Sequence, residues 1–536
     1  MGRISLVALL VSVSGELFSQ INRYMVFFTD KTGTPFSISV PENFLSERAI
    51  QRRANQEIVV IEQDLPVVPG YVDQVANTGA TVLYKTKWMN GVLIEATDEQ
   101  LTTVSGLSCV TSTEYVAPGG RPASGRMKSS AKFKDTSGVA TATDVQLSML
   151  GIDNFHAAGF HGEGMLIAVM DAGFPSVNIT QPFQHLFTDS RFDASTSYNF
   201  VSGSSNVFTR NSHGTNVLSI IGAHDAGTYT GGAYKATFIA FITEDIDTEY
   251  RVEEYNWLFA AERADSAGAD VINTSLGYNT FDDSNMNYTQ SDMDGETAAI
   301  TRAATIASSK GMVVVISAGN EGSKPWGIIT TPADSEHVLA VGSVNSSGIL
   351  ASSSSVGPTA DGRVKPDVAA MGVGTSVINT SGTVVTGGGT SFAAPLIASL
   401  AAIVWQQHPT LTAAEVRDSI RIHGSQFLDP DNFLGFGIPY FGVITAVDPT
   451  LEKNTVAIYP NPSNDWIRIE FDEDFQQSGS VSFDIVDSKG ASGSITWQAE
   501  NDRTYFIRLS DIAPGLYVLR CWRGKQLSVH KVLKVK

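Results

Sequence analysis

Cysteine is scarce: Cys109 and Cys521 are the only two in 536 residues. They lie far apart, which excludes a disulfide-dense scaffold and a four-cysteine zinc site. Positive charge is also short. Lys and Arg total 36 against 55 Asp and Glu, a net charge of −19, so neither a nucleic acid nor an anionic membrane is a fitting partner. Long apolar runs are missing too. Ile4–Val13 and Leu396–Trp405 both fall short of the about 20 residues that cross a bilayer, so no transmembrane segment is expected. Two catalytic signatures are absent. There is no H-E-x-x-H, the common zinc-protease motif. There is no G-x-S-x-G either, since Ala393 stands where the last glycine of a motif centred on Ser391 would be.

What is present divides the chain into units. Its length suits three or four domains. Residues 139–453 carry 13 basic and 32 acidic side chains, whereas 21–138 and 454–536 are each balanced. The first residues, 1–19, read as a signal peptide: Arg3 is basic, Ile4–Val13 is a short apolar stretch, and Leu17 and Ser19 precede a cleavage at Gln20. Residues 20–118 form a first α+β unit, with strands at Tyr24–Thr29 and Gly91–Ala96. A helix at Phe44–Ala54 turns Arg48, Arg52 and Arg53 outward. Residues 119–138, rich in Gly and Ser with five basic residues against one acid, read as an exposed linker where proteases cut.

In 139–450, apolar strand-like runs alternate with helical ones. Met165–Met170, Val271–Ser275, Met312–Ser317 and Val338–Val341 are the runs. This predicts an α/β fold, a parallel sheet flanked by helices. Residues 454–536 show only short strands between Pro, Asn, Asp and Gly clusters, as in an all-β sandwich.

Three polar residues of the middle unit stand where strands end or helices begin. Asp171 closes "LIAVMD", His213 opens "HGTNVLSIIG", and Ser391 lies in "GGGTSFAAP" at the start of an apolar helix. Such positions are where α/β proteins build sites. A serine hydroxyl needs a base to become nucleophilic, histidine suits that role near neutrality, and a buried carboxylate orients the histidine. Asn320 ends "MVVVISAGN", where a side-chain amide can donate to a developing oxyanion.

These four boxes, in the order Asp, His, Asn, Ser, resemble those of the subtilisin-like serine proteases, the subtilases. The resemblance implies a secreted serine endopeptidase made as a proenzyme. In it Asp171 orients His213, His213 is general base and then acid, Ser391 attacks, and Asn320 completes the oxyanion hole with the Ser391 N–H. "VINTSLG" resembles the family's strand that pairs with substrate backbone, implying Ser275, Leu276 and Gly277. One departure is Ala172, where the family commonly has threonine or serine. Residues 278–296, with Asp282, Asp283, Asp292 and Asp294, read as a solvated acidic insertion. No cofactor is expected for catalysis. The family's structural calcium is allowed for, but no motif places it.

The flanks resemble known companions. "WMNGVLIEAT" resembles a subtilase propeptide, and "IYPNPSNDWIRI" with "IAPGLYVLR" resembles the C-terminal sorting domain of type IX secretion. The implied partners are protein or peptide substrates, the chain's own propeptide and the type IX machinery. The implied location is outside the cell or on its surface, after export across an outer membrane. The competing reading is a catalytically silent adhesion or binding protein on a subtilase scaffold.

Overall fold

The computed structural model describes residues 20–120, 134–135, 142–442, 456–461, 463–471, 481–487, 492–493, 495–523 and 526–535. The expected signal peptide at 1–19 and most of the expected linker at 119–138 lie outside the described residues. Packing divides the chain into two units that part between Ile444 and Thr445.

The centre of the first unit is a seven-stranded sheet. Across it run Val368–Met371, Leu339–Val344, Val313–Ser317, Val271–Thr274, Leu166–Asp171, Thr237–Ile242 and Tyr198–Asn199, all pairing in parallel. The expected fold class is borne out. The strand Leu166–Asp171 is buried throughout, and its side chains alternate between two cores. Ile167 and Val169 join a cluster with Val217, Leu218 and Leu396 from the helices His213–Gly222 and Thr390–Gln407. Ala168 and Met170 join another with Tyr255, Trp257 and Ala303 from Val252–Ala267 and Ala299–Ser309. Apolar residues on both strand faces are what a sheet covered on both sides requires.

The propeptide-like part belongs to the same unit. Its antiparallel sheet runs Thr81–Thr86, Gly91–Ala96, Asn22–Phe28, Val110–Pro118. The helix Glu47–Asn55 starts on a Ser46 cap that accepts from the Ala49 N–H, a standard way to satisfy an orphan donor. Its arginines Arg52 and Arg53 are not solvated. They are 5% and 1% exposed, because the catalytic core covers them.

Arg52 reaches Asp265 at 2.6 Å. Arg53 bridges Asp64 at 3.0 Å and Asp265 at 2.9 Å, and Lys87 meets the same Asp265 at 3.0 Å. The backbone N–H groups of Lys87 and Trp88 donate to Glu262, both at 2.9 Å. Burial pushes Asp265 up, but Lys87, Arg52 and Arg53 together hold its carboxyl well below the usual range.

The second unit holds two four-stranded antiparallel sheets. Ile467, Ile469 and Ile507 of one and Ile485, Leu519 and Val532 of the other share one core. That is a sandwich, as the strand pattern predicted. Cys521 is buried in it as a free thiol, and burial pushes its pKa up to about 12.

Candidate functional site

Asp171 is the last residue of its strand and His213 the first of its helix. The His213 Nδ1 and Asp171 Oδ1 are 2.8 Å apart. Gly214 makes this approach feasible: a Cβ there would sit 2.4 Å from the Gly173 carbonyl oxygen and 2.9 Å from the Asp171 Cβ. Asp171 is fully buried. Its Oδ1 also accepts the Ala172 N–H at 2.7 Å, while Oδ2 has no hydrogen-bond partner among the described residues. A hydroxyl-bearing side chain at position 172 is what the sequence lacks there.

Burial pulls the His213 pKa down. The Asp171 charge and hydrogen bond, with a smaller pull from Glu244, outweigh it and leave the pKa above the ordinary 6.5. The other face of the imidazole is held by Phe392, stacked at 5.9 Å between ring centroids.

Ser391 is the second residue of the helix Thr390–Gln407, whose N-terminus favours negative charge at its hydroxyl. Pro395, four residues on, has no N–H to offer the Ser391 carbonyl. The Ser275 hydroxyl takes that place, donating to the Ser391 carbonyl at 2.9 Å. In return the Ser391 Oγ donates to the Ser275 carbonyl at 3.3 Å. No hydrogen bond joins Ser391 to His213 among the described residues. Catalytic hydrogen bonds are often unformed before substrate arrives.

Asn320 follows the strand Val313–Ser317. Its Oδ1 accepts from the Thr390 N–H at 3.0 Å and the Thr390 hydroxyl at 3.2 Å. Gly389, at φ +139°, lies against the same amide: a Cβ there would be 3.3 Å from Oδ1. The structure therefore joins Asp171 to His213, Ser275 to Ser391, and Asn320 to the residue before Ser391.

Ser275 is buried, Leu276 half-buried and Gly277 exposed, directly after the strand Val271–Thr274. Tyr278 then pairs with Thr331 through both backbone hydrogen bonds, at 3.0 and 3.1 Å. Thr390 and Phe392 had no separate signal in the sequence beyond lying beside Ser391.

A model of the subtilase family matches residues 162–437, just over half of the chain. The chain belongs to the subtilase family. Residues 23–132 match the peptidase S8 propeptide domain of Bacteroidota, and 457–535 match a secretion system C-terminal sorting domain. This subtilase is 33% identical to subtilisin NAT of Bacillus subtilis subsp. natto over 277 residues, which cover 51% of this chain and 64% of that protein. It is 31% identical to the subtilisin of Bacillus pumilus over 278 residues, 51% of this chain and 88% of that one. Among solved structures, the crystal structure of MycP1 from the ESX-1 type VII secretion system aligns at a TM-score of 0.45 and 22% identity. It covers 58% of this chain and 87% of that chain. Among the described residues, no helix is long and apolar enough to cross a membrane.

The acidic insertion at 278–296 is better anchored than a solvated loop. Phe281, Met286, Tyr288 and Met293 are buried beneath it. Asp294 caps a turn, accepting from the N–H groups of Glu296 and Thr297, each at 2.8 Å, and Asp282 ties the segment to the Glu249 N–H at 3.0 Å.

Proposed function

We propose that this subtilase is a secreted serine endopeptidase, made as a proenzyme and acting on proteins or peptides. His213 takes the Ser391 proton as the Ser391 Oγ attacks the scissile carbonyl, and later returns a proton to the leaving amine. Asp171 fixes the imidazole tautomer and stabilises the imidazolium. The tetrahedral oxyanion is met by the Asn320 side-chain amide and the Ser391 N–H. Substrate backbone pairs along Ser275, Leu276 and Gly277. The chemistry uses side chains and water, with no cofactor required for catalysis.

The observation that carries this reading is the 2.8 Å contact between His213 and the fully buried Asp171, beside a serine at a helix N-terminus. The first domain serves as propeptide and inhibitor, released by cleavage within 119–138. The sorting domain directs the chain to the type IX machinery, leaving the enzyme outside the cell or on its surface.

One observation favours the catalytically silent alternative: Ser391 bonds to Ser275 and not to His213. Labelling by a fluorophosphonate separates the two readings. Labelling of Ser391 in the mature wild type, lost in Ser391→Ala, supports the peptidase. A folded mature chain that neither labels nor cleaves peptides overturns it.

A further inference from the structure

Of the nine histidines in the chain, four meet around one tyrosine. His224 stacks on the Tyr234 ring at 4.3 Å between centroids. His156, His161 and His185 meet the same ring at 5.6, 5.1 and 6.4 Å, each edge-on. The imidazoles also meet one another. His156 stacks on His161 at 5.2 Å, and His185 lies 6.0 Å from His224.

These rings come from separate elements. His156 lies on the helix Ile152–Ala157, His185 on the helix Gln184–Thr188 and His224 on the short strand His224–Asp225. Tyr234 follows the segment that closes the far end of the His213–Gly222 helix. There the N–H groups of Gly231, Gly232 and Ala233 donate to the carbonyls of Ala223, Ile220 and Ile221, at 2.7, 2.8 and 2.9 Å. Carbonyls at a helix end lack partners within the helix, so this segment serves as its cap. His156 donates from Nε2 to the Gly232 carbonyl at 2.8 Å, and His185 from Nε2 to that of Tyr234 at 3.1 Å. Two of the four histidines therefore hold the cap by its own backbone.

This packing suits neutral rings. The Nδ1 of His224 is buried with no hydrogen-bond partner among the described residues. A proton added there meets no acceptor, and each charged ring makes its neighbours harder to charge. The charged groups facing the cluster are Lys235 and the carboxylates Asp153, Glu163, Asp189 and Asp225. Glu163 is divided between His161 at 3.3 Å and Lys235 at 3.1 Å. Burial outweighs the acids and the nearby carbonyls, and pulls His156, His185 and His224 below the ordinary 6.5.

We propose that His156, His185 and His224, packed with His161 around Tyr234, form an acid-sensitive latch on the far end of the His213 helix, closed while the rings are neutral and opening when they take up protons. Opening frees the Gly231–Ala233 cap, and with it the helix that presents His213 to Asp171. The direction follows from linkage. Rings that resist the proton when packed bind it more readily when released, so the latch is fully closed above about pH 6.5 and weakens as pH falls below it. His213 titrates apart from this group, because its own pKa is shifted upward.

Amide hydrogen exchange reads the latch directly. The protein is the full-length Ser391→Ala chain, so the readout needs no activity. After correction for the chemical exchange rate, protection of the Gly231, Gly232 and Ala233 amides should fall at least about tenfold between about pH 8 and about pH 5.5. Protection of the helix Val252–Ala267, on the other face of the sheet, should stay level. His156→Gln combined with His224→Phe keeps a donor toward Gly232 and a ring on Tyr234 but removes two titrating groups. In that variant most of the loss should disappear.

Protection of the three amides that does not change with pH overturns the proposal. So does a fall shared equally by Val252–Ala267, which would be a general effect of acid, or a fall that the double variant keeps in full. The comparison with all four histidines present decides the matter even where the double variant fails to fold. Zinc that raises protection of these amides at neutral pH would make the cluster a metal site and overturn the latch.

Discussion

The side-chain carbonyl of Asn320 is tied twice to Thr390, to its N–H at 3.0 Å and its hydroxyl at 3.2 Å. With the oxygen engaged, the amide NH₂ is what Asn320 has left to offer, and it does so beside Ser391. A donor fixed before the reaction costs no reorganisation when charge develops. Asn320→Ala should therefore lower kcat by roughly 10²–10³ with little change in KM. Asn320→Asp, of the same shape but without the donor, should be at least as damaging. Steady-state kinetics check both, and a raised KM with unaltered kcat would make Asn320 a substrate-binding group instead.

His213 is effective only when neutral, and its pKa is held above the ordinary 6.5 by Asp171 despite burial. A raised histidine pKa means that the proton stays on to higher pH. The acid limb of kcat/KM should accordingly lie above 6.5, with activity gained as pH rises through it. Asp171→Asn should remove that pull and cut kcat by about 10⁴, as loss of the carboxylate misplaces the tautomer. A profile whose limb lies below 6.5 would mean that burial, not Asp171, dominates at this ring.

Much of this site is legible in the sequence, because strand ends and helix starts constrain both composition and position. Asp171, His213, Asn320 and Ser391 all sit at such junctions, and the glycines beside Ser391 mark a sharp turn into its helix. What escapes a sequence reading is tertiary. The grip of Thr390 on Asn320 joins residues 70 positions apart, and no local pattern reports it. The strand Thr237–Ile242, in register with Asp171, is not among the four apolar runs that mark the sheet in the sequence. Helical period turns Arg52 and Arg53 outward, but period says nothing of a second domain covering that side. Likewise the aspartates of 278–296 do reach solvent, but the anchoring of their segment by Phe281 and Tyr288 goes unread because those residues are interspersed with polar ones.

The buried charges between propeptide and core should decide how firmly the propeptide stays after cleavage. Asp265 is fully buried and faces Arg52, Arg53 and Lys87 from the other side. Removing one member of such a group leaves buried charges unpaired, at a cost of about 3–5 kcal/mol. Asp265→Ala should thus weaken retention of the cut propeptide by roughly two to three and a half factors of ten. Because its pKa is depressed in the complex, the Asp265 contribution persists above the ordinary carboxylate range and is lost only as pH falls below it. Co-elution of propeptide and mature chain should then survive at mildly acidic pH in the wild type and fail in Asp265→Ala at neutral pH. Equal retention in both would show that the charges contribute no net affinity.

The two units close their cores separately, and this bears on what the tail does. Among the described residues, the cores around the parallel sheet draw on none beyond Phe441, while the sandwich core is made of residues from Val456 onward. A chain truncated after Pro449 keeps Asp171, His213, Asn320 and Ser391 together with everything they pack against in those cores. It should fold, process its propeptide and cleave peptides in lysate at close to the full-length rate. What it lacks is the module matching a secretion sorting domain, so it should accumulate in the periplasm. Fractionation with activity assays measures both properties at once. Truncated enzyme appearing outside the cell at the normal rate would sink the address role. Loss of activity in a truncated chain with unchanged thermal unfolding would show that the sandwich acts on the site itself.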